Sequence, residues 1–289
     1  MADKLIRGLA RNGNIRVLMV KSTDLVQNVK EIHDLFPTVT AAVGRTMNAS
    51  LMMAHTLKDE DEKLIIEIRG NGDLKFLLVN ADNAGRVRAT VSNPHLLKIN
   101  EHNGKLDVGG LFEGGTLKVS RSIDDKIVYN SLVDLQSGEI GDDFAYYFAQ
   151  SEQIPSVVSL GVLVGEDYNV LSAGGLIIQV LPSAQEEDIV AMETLLQELK
   201  PMSTYFLDME AEALFEQLFE DGEILGTSDI EYHCGCNRDQ MLGALMTLST
   251  DDLQELIDED QGAKMICHYC NTEYEFSESE LKAIIDEKQ

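Results

Sequence analysis

The chain has 289 residues, of which 44% are hydrophobic, and it carries a formal net charge of -27 at pH 7. This hydrophobic content excludes a chain that is disordered throughout, and the length is sufficient for two domains with a sizeable core. The acidic excess argues against nucleic-acid binding, because proteins bind phosphate backbones through Lys and Arg.

The first 182 residues predict a domain that mixes strands and helices. A strand over residues 15–20 precedes a helix that carries Leu25, and a second helix begins at Thr38 or Thr40 and runs to Leu57. Further strands are predicted over 64–69, 75–81, 86–91, 116–120 and 126–133. A helix over 138–153 and two strands over 157–164 and 171–181 follow. This irregular order indicates an α+β fold rather than repeated βαβ units.

The composition changes at residue 183. Residues 183–289 contain 27 acidic and 5 basic residues, a net charge of -22, which leaves -5 for the residues before them. Ser183 and Glu186 have the spacing of a capping box, and two amphipathic helices are predicted to follow. We interpret residues 183–230 as an acidic helical linker whose like charges oppose its compaction. We expect its helices to lie against the apolar surface of the N-terminal domain, residues 1–182.

The four cysteines of the chain all lie in its last quarter, as Cys234-Gly235-Cys236 and Cys267-His268-Tyr269-Cys270. Two close pairs of thiolates match the ligand set of a four-cysteine zinc site. Two strands are predicted around the second pair, with Cys-x-x-Cys in the tight turn between them. We therefore predict one zinc ion per chain, bound by Cys234, Cys236, Cys267 and Cys270. The C-terminal domain, residues 231–289, has few apolar residues and should fold only with the metal.

The cysteine pairs also suggest redox chemistry. The Cys-x-Cys spacing is tighter than is usual in structural zinc sites, and a disulfide across one residue closes a strained, reducible ring. Cys-x-x-Cys is the familiar spacing of redox disulfides. Two pairs that bind zinc when reduced and close on themselves when oxidised would form a redox switch. A purely structural zinc site is the alternative.

Compartment and membrane contact follow from the same composition. The first residues lack the apolar core of a signal peptide, and no apolar run is as long as a membrane span. Four paired cysteines without an export signal indicate the reducing cytoplasm, where such cysteines more often bind metal than form stable disulfides. We expect no membrane partner.

Two other classes of function remain open, a zinc-stabilised enzyme and a zinc-ribbon regulator that binds nucleic acid. None of the six histidines is followed by x-Glu, and Ile266 stands where a zinc deaminase has Pro before its Cys-x-x-Cys. Only 19 residues follow Cys270, too few for a thioredoxin-like fold. His233 and His268 flank the sulfurs, but four thiolates already fill a tetrahedron. We predict no catalytic residue and no nucleic-acid partner.

At full length the sequence resembles the 33 kDa chaperonin family, redox-regulated heat-shock holdases of the bacterial cytosol. The resemblance rests on Cys-x-Cys, a spacer of about thirty residues and Cys-x-x-Cys near the C-terminus. Residues 138–156 and 37–45 resemble two further segments of the family. The sequence matches the family pattern at all four cysteines.

The resemblance implies a stress-response chaperone rather than an enzyme. In the family, the reduced zinc-bound protein is inactive, and peroxide with heat, or hypochlorous acid, oxidises the cysteines and releases zinc. The C-terminal domain and linker then unfold, dimers form, and exposed apolar surface binds unfolding client proteins without ATP. Reduction passes the clients to ATP-dependent foldases. By position, Cys234–Cys236 and Cys267–Cys270 would be the redox-active disulfides, and all four cysteines the zinc ligands.

Overall fold

The computed structural model describes residues 3–59 and 61–288; Met1, Ala2 and Gln289, at the ends of the predicted domains, lie outside this range. The chain forms two units, Met1–His233 and Cys234–Gln289, and both mix helices and strands. The predicted α+β fold is therefore confirmed. The first unit continues through residues 183–230, so the division at residue 182 stays a prediction.

The first unit contains most of the strands. In chain order they are β1 (Lys4–Ala10), β2 (Ile15–Lys21), β3 (Lys63–Gly70), β4 (Phe76–Asp82), β5 (Arg86–Val91), β6 (Gly115–Ile123), β7 (Lys126–Asp134), β8 (Ser156–Val164), β9 (Val170–Val180), β10 (Glu223–Asp229) and β11 (Glu231–Tyr232). The strands predicted between residues 15 and 181 are confirmed, with small shifts at their ends. The sequence analysis did not predict β1, β10 and β11.

These strands form two sheets. The first has the order β10-β1-β2-β9-β8 and is antiparallel throughout. The second has the order β11-β5-β4-β3-β6-β7 and is antiparallel except for β11, which runs parallel to β5. The segment that ends the first unit thus supplies one edge strand to each sheet.

The helices of the first unit are α1 (Thr23–His33), α2 (Pro37–Ala54), α3 (Val108–Phe112), α4 (Gly141–Tyr147), α5 (Glu186–Glu198), α6 (Met202–Tyr205) and α7 (Ala211–Leu218). Helix α2 contacts strands of both sheets, and all its residues except Arg45 are buried. Pro37 stands at its first turn, where a missing N–H has no cost. The methionines of α2 are buried in the core.

The helix predicted over 138–153 begins later than expected and changes its winding. Gly138 and Ile140 both have positive φ, which is incompatible with a helix start at residue 138. The helix begins instead at Gly141, and its last turn, Phe148–Glu152, is a π-helix. The buried carboxylate of Asp143 fixes this start, because it accepts hydrogen bonds from the N–H groups of Gln136, Ser137, Gly138 and Ile140.

The predicted linker contains three helices, α5, α6 and α7, rather than two, and strand β10 follows them. These helices pack on the first sheet, as expected. They share one apolar cluster with β1, β2 and β9 that we call the linker cluster: Ile6, Ala10, Ile15, Val17, Met19, Leu176, Ile178, Met192, Met202, Phe206, Ala211, Leu214, Phe215 and Phe219. The acidic residues of the three helices remain largely at the surface. This segment therefore covers apolar surface that the sheet would otherwise expose.

Polar contacts hold the same helices at their edges. The carboxylate of Asp188 accepts from Arg11 at 3.1 Å and from Asn14 at 2.9 Å, both in the turn between β1 and β2. Asp188 also accepts from the N–H of Gln185, so α5 is capped at Gln185, and the capping box predicted at Ser183 is wrong. Asp188 therefore joins the N-terminus of α5 to the turn between β1 and β2.

The second unit contains α8 (Arg238–Leu245), α9 (Thr250–Asp260), the antiparallel hairpin of β12 (Gly262–Ile266) and β13 (Glu273–Ser277), and α10 (Glu278–Glu287). Its buried apolar core is small and consists of Leu245, Leu253, Ile257, Phe276, Leu281 and Ile284. Among the described residues of the chain, no helix has the length and apolar character needed to cross a membrane.

Candidate metal centre

The four cysteine sulfurs converge at one point of the second unit, as predicted. All four Sγ atoms lie within 4.8 Å of one another, and all four residues are free thiols. The Sγ of Cys234 lies 3.6 Å from that of Cys267, and the Sγ of Cys236 lies 3.3 Å from that of Cys270. Each cysteine of the first sequence pair therefore has a sulfur of the second pair close to its own.

The second pair is positioned by the β12–β13 turn. Cys267 follows the last residue of β12, and its N–H donates to the carbonyl of Thr272 at 3.0 Å. Asn271 adopts the left-handed conformation and donates its N–H to the carbonyl of Cys267 at 2.8 Å. These bonds curl the chain between Cys267 and Cys270, so both sulfurs face the same side. The strand, turn and strand predicted for this segment are confirmed.

The first pair lies on the extended segment before α8. The side chain of Asn237 caps that helix by accepting from the N–H of Gln240 at 2.9 Å, which fixes the chain directly after Cys236. Arg238 lies over the ring of Phe276, 4.3 Å from its centroid, and donates to Glu280 at 2.8 Å. The N-terminus of α8 is thereby held against the end of the hairpin. Glu280 also forms a capping box with Ser277 at the start of α10.

Two hydroxyl groups contact the sulfurs, and the sequence analysis did not identify them. The hydroxyl of Tyr274 lies 3.1 Å from Sγ of Cys236, and that of Thr272 lies 3.2 Å from Sγ of Cys270. Both residues are on the returning arm of the hairpin, two positions apart. The sequence feature that could have identified them is the alternation of side chains along a strand, which places residues 272 and 274 on the same face.

The thiols differ in acidity. Burial raises the pKa of Cys234, and it raises that of Cys236 to about 12. For Cys270 burial acts in the same direction, but hydrogen bonds from Thr272 and from neighbouring thiols outweigh it and bring the pKa to about 7. Four thiolates this close repel one another strongly. A divalent cation would offset that repulsion and hold all four in the anionic form.

The residues fit zinc. Four thiolates at about 2.3 Å from a tetrahedral zinc ion have sulfurs about 3.8 Å apart, close to the separations observed. Soft sulfur ligands select zinc over hard cations such as Mg²⁺ or Ca²⁺. The flanking histidines are not part of the cluster, because His268 is exposed and His233 lies at the end of the first unit, where its N–H donates to the carbonyl of Val87.

Comparison with known proteins places these features in one family. The sequence profile of the Hsp33 protein family matches residues 3–277. The chain is 40% identical over 289 residues to the 33 kDa chaperonin of Bacillus velezensis, covering 99% of both sequences. It is 41% identical to the 33 kDa chaperonin of Limosilactobacillus fermentum, covering 100% of both. The crystal structure of the 33 kDa chaperonin of Thermotoga maritima superposes with a TM-score of 0.92 at 32% identity, over 100% of this chain and 99% of that one.

Proposed function

Because this chain belongs to the Hsp33 family of chaperones, we propose that it is a redox-regulated holdase that binds unfolding proteins without ATP. The observation that carries the proposal is the four-sulfur cluster, which follows directly along the chain from a segment that covers apolar sheet surface. Such a cluster can be opened by oxidation, and the covered surface supplies a binding site for apolar client segments.

In the reduced state we assign Cys234, Cys236, Cys267 and Cys270 as the ligands of one zinc ion. Bound there, zinc would supply folding free energy to a unit whose apolar core has only six buried residues. The cysteines contribute the negative charge, the hairpin turn fixes the direction of two sulfurs, and Asn237 and Arg238 fix the other segment.

Oxidation by peroxide would proceed in two chemical steps at each cysteine pair. A thiolate attacks one peroxide oxygen, the O–O bond breaks, and hydroxide leaves, so the sulfur becomes a sulfenic acid. The second thiolate attacks that sulfur, an S–S bond forms, and a second hydroxide leaves and takes a proton from solvent. Each pair thus loses two electrons to one peroxide molecule. We propose Cys267–Cys270 and Cys234–Cys236 as the products.

The disulfides remove the anionic ligands, so the second unit loses the metal-dependent part of its folding free energy. We propose that the linker, residues 183–230, then leaves the first sheet, because its acidic residues repel one another and its covalent neighbour is unfolded. The apolar side chains of β1, β2 and β9 in the linker cluster become the client surface. These side chains are buried in one cluster with apolar side chains of the linker.

The partners follow from the same proposal. They are unfolding client proteins, a second copy of the chain in the active dimer, and ATP-dependent foldases that accept clients after reduction. The switch requires a compartment that is reducing at rest, which the cytoplasm provides. Binding of nucleic acid is disfavoured by the net charge of -27.

The proposal is tested by counting zinc and free thiols before and after peroxide treatment and by assaying both samples for suppression of client aggregation without ATP. We expect one zinc and four thiols per reduced chain, no zinc and no thiol after oxidation, and suppression only by the oxidised sample. The Cys234→Ser, Cys267→Ser double variant should lack bound zinc. Equal suppression by both samples, or full zinc occupancy in that variant, would contradict the proposal.

A further inference from the structure

Cationic side chains border the apolar face of the first sheet that the linker covers. Three of them belong to the β1–β2 hairpin, residues 4–21, and each forms an ion pair with a linker carboxylate. The three pairs are Lys4–Glu212 at 3.5 Å, Lys21–Glu210 at 3.2 Å and Arg11–Asp188 at 3.1 Å. The linker is therefore attached to the sheet by charge as well as by the linker cluster.

The cations stand at the two ends of the hairpin. Lys4 and Lys21 are partners across β1 and β2 at one end, and Arg11 lies in the turn at the other. Because β1 has seven residues, each rising about 3.3 Å, these ends are about 20 Å apart. The hairpin residues of the linker cluster lie between them: Ile6, Ala10, Ile15, Val17 and Met19. The covered surface is thus an apolar strip with positive charge at both ends.

Lys21 is the cation that the linker buries most completely. The residue is only 2% exposed, and its Nζ donates to the carbonyl of Met209 at 3.1 Å as well as to Glu210. Covering an ammonium group without supplying a counter-charge is strongly unfavourable, because the group loses its water and gains no carboxylate. A segment that replaces the linker over Lys21 therefore binds well only if it brings an acidic side chain to the same place.

We propose that the surface uncovered by the linker selects its clients by charge, and that it prefers apolar segments flanked by Asp or Glu over the same segments flanked by Lys or Arg. This inference rests on the proposed function, since it names the client class of that surface. The linker is the model for such a client, because residues 183–230 combine their apolar side chains with 13 acidic residues and one basic residue. A basic segment would place like charges together at both ends of the strip.

The net charge of the chain opposes acidic clients at long range, but the ion pairs act at contact. Of the total of -27, residues 183–289 carry -22, and these residues move away from the sheet in the proposed opening, whereas residues 1–182 carry only -5. At roughly 0.15 M salt, charges farther apart than about 8 Å are largely screened from one another. The preference for acidic clients should therefore appear in slower dissociation rather than in faster association.

The test measures binding of labelled peptides to the oxidised full chain at roughly 0.15 M salt. One peptide has the sequence of residues 207–220, and its matched partner carries Glu210→Lys and Glu212→Lys. Both compete with the same tethered linker, so this competition cancels in their ratio. We expect the unchanged peptide to bind roughly tenfold more tightly, mainly through slower dissociation. Residues 185–199, with and without Asp188→Lys, test the Arg11 end of the strip in the same way.

A charge swap in the chain itself tests whether the hairpin cations cause the preference. The double variant Lys4→Glu, Glu212→Lys keeps an ion pair in the closed form and leaves the net charge unchanged. In the open form it presents a carboxylate at position 4, so the preference for the unchanged 207–220 peptide should become roughly threefold smaller. Lys63→Asp, Asp125→Lys swaps an exposed ion pair outside the linker cluster and should leave the preference as in the wild type.

Selection by charge and the holdase function fail separately in this design. An oxidised chain that suppresses client aggregation, yet binds both peptides of a pair equally, binds neither, or prefers the lysine peptide, would overturn the selection and leave the proposed function intact. So would a preference that is the same in the Lys4→Glu, Glu212→Lys variant as in the wild type. Conversely, an oxidised chain that prefers the acidic peptides without suppressing aggregation would support the selection and contradict the proposed function.

Discussion

A Cβ atom placed on Gly174 would lie 2.3 Å from a ring carbon of Phe206. Gly174 belongs to β9 in the first sheet, and Phe206 follows α6 in the linker and is buried. The missing side chain at position 174 is therefore what lets the aromatic ring pack directly against the strand. Gly161 on β8 has the same relationship with Ser203, whose N atom would be 2.4 Å from an added Cβ.

The first prediction is that Gly174→Ala loosens the linker without oxidation. The added methyl group must displace the ring of Phe206 or shift β9, and overpacking of this kind costs typically about 1–3 kcal/mol. We expect a lower thermal midpoint, faster amide exchange in residues 183–219 and partial holdase activity in the reduced state. Gly226→Ala is the matched control, because a Cβ at Gly226 meets nothing within 4 Å. Equal exchange in both variants would contradict this role of Gly174.

The second prediction concerns the linker after oxidation. Hydrogen exchange should rise across residues 183–230, whereas the amides of β3, β4 and β6 in the second sheet stay protected, because local opening affects the least stable segments first. The measurement is exchange with mass spectrometry on reduced and oxidised samples. The same exchange pattern in both states would exclude linker opening.

The third prediction is the order of disulfide formation. Cys267 and Cys270 have two intervening residues in a turn, whereas Cys234 and Cys236 have only Gly235 between them and close a more strained ring. We expect Cys267–Cys270 to form first under mild peroxide, with loss of zinc at that step, and Cys234–Cys236 to follow. Timed alkylation with mass mapping measures the order. An earlier Cys234–Cys236 bond, or a stable Cys236–Cys267 bond, would show that ring strain does not decide it.

The fourth prediction assigns a role to the hydroxyl of Tyr274, which lies 3.1 Å from Sγ of Cys236. A phenol that donates to a thiolate orients the ligand and reduces the reactivity of its sulfur. Groups that support metal ligands in this way are typically worth 10–100-fold in metal affinity. Tyr274→Phe keeps the ring and removes only the hydroxyl, so we expect roughly tenfold weaker zinc binding in competition with a chelator. Tyr168→Phe, an exposed tyrosine of the first unit, should leave zinc affinity unchanged.

The fifth prediction is a pH dependence at Asp3, whose carboxylate accepts from the N–H of Leu25 at 2.7 Å. Burial, with a smaller contribution from the charge of Asp24, raises the pKa of Asp3 from 3.8 to about 6. The folded chain therefore binds this proton more tightly than the unfolded chain. The stability it contributes is complete below pH 3.8 and is lost as the pH rises through about 6.

Asp3→Asn removes this titration. The free energy of unfolding of the variant should therefore increase relative to that of the wild type as the pH rises from 4 to 7. Because the carboxylate is partly exposed, we expect a relative gain of about 1–2 kcal/mol. Denaturant unfolding at several pH values measures the difference, and Asp221→Asn, an exposed aspartate before β10, provides the control. A difference between Asp3→Asn and wild type that does not vary with pH would show that Asp3 is not buried with a raised pKa.

Local patterns predicted the elements whose signals lie within a few residues. The β12–β13 hairpin follows from a short run of sequence, and it is present. Strand β1 was not predicted because Arg7 and Gly8 interrupt its apolar pattern. It is a strand because β2 and β10 pair with it on either side, and Gly8 is required by the ring of Phe215, 2.5 Å from an added Cβ.

The same distinction applies to the candidate site. The convergence of the four sulfurs was predictable, because two close cysteine pairs have the spacing expected of a four-cysteine metal site. The start of α5 at Gln185 was not predicted, and Asp188 near that start accepts hydrogen bonds from Arg11 and Asn14, more than 170 residues away. Likewise Tyr274 gains its role only from the fold of the hairpin, which brings its hydroxyl to a sulfur 38 positions earlier in the chain.

Strands β10 and β11 are separated by Ile230 alone, yet they close different sheets, one beside β1 and the other beside β5. If β11 leaves with β10 in the proposed opening, two rows of unpaired N–H and C=O groups are uncovered together. Such rows template aggregation, the same hazard that a holdase prevents in its clients. Under the proposed mechanism, the active form would therefore aggregate with other copies of itself, and more so as its concentration rises. Under the proposed mechanism the closed chain would accumulate without this hazard, whereas the open chain would have a limited lifetime. Prompt reduction would then protect the chaperone as well as its clients.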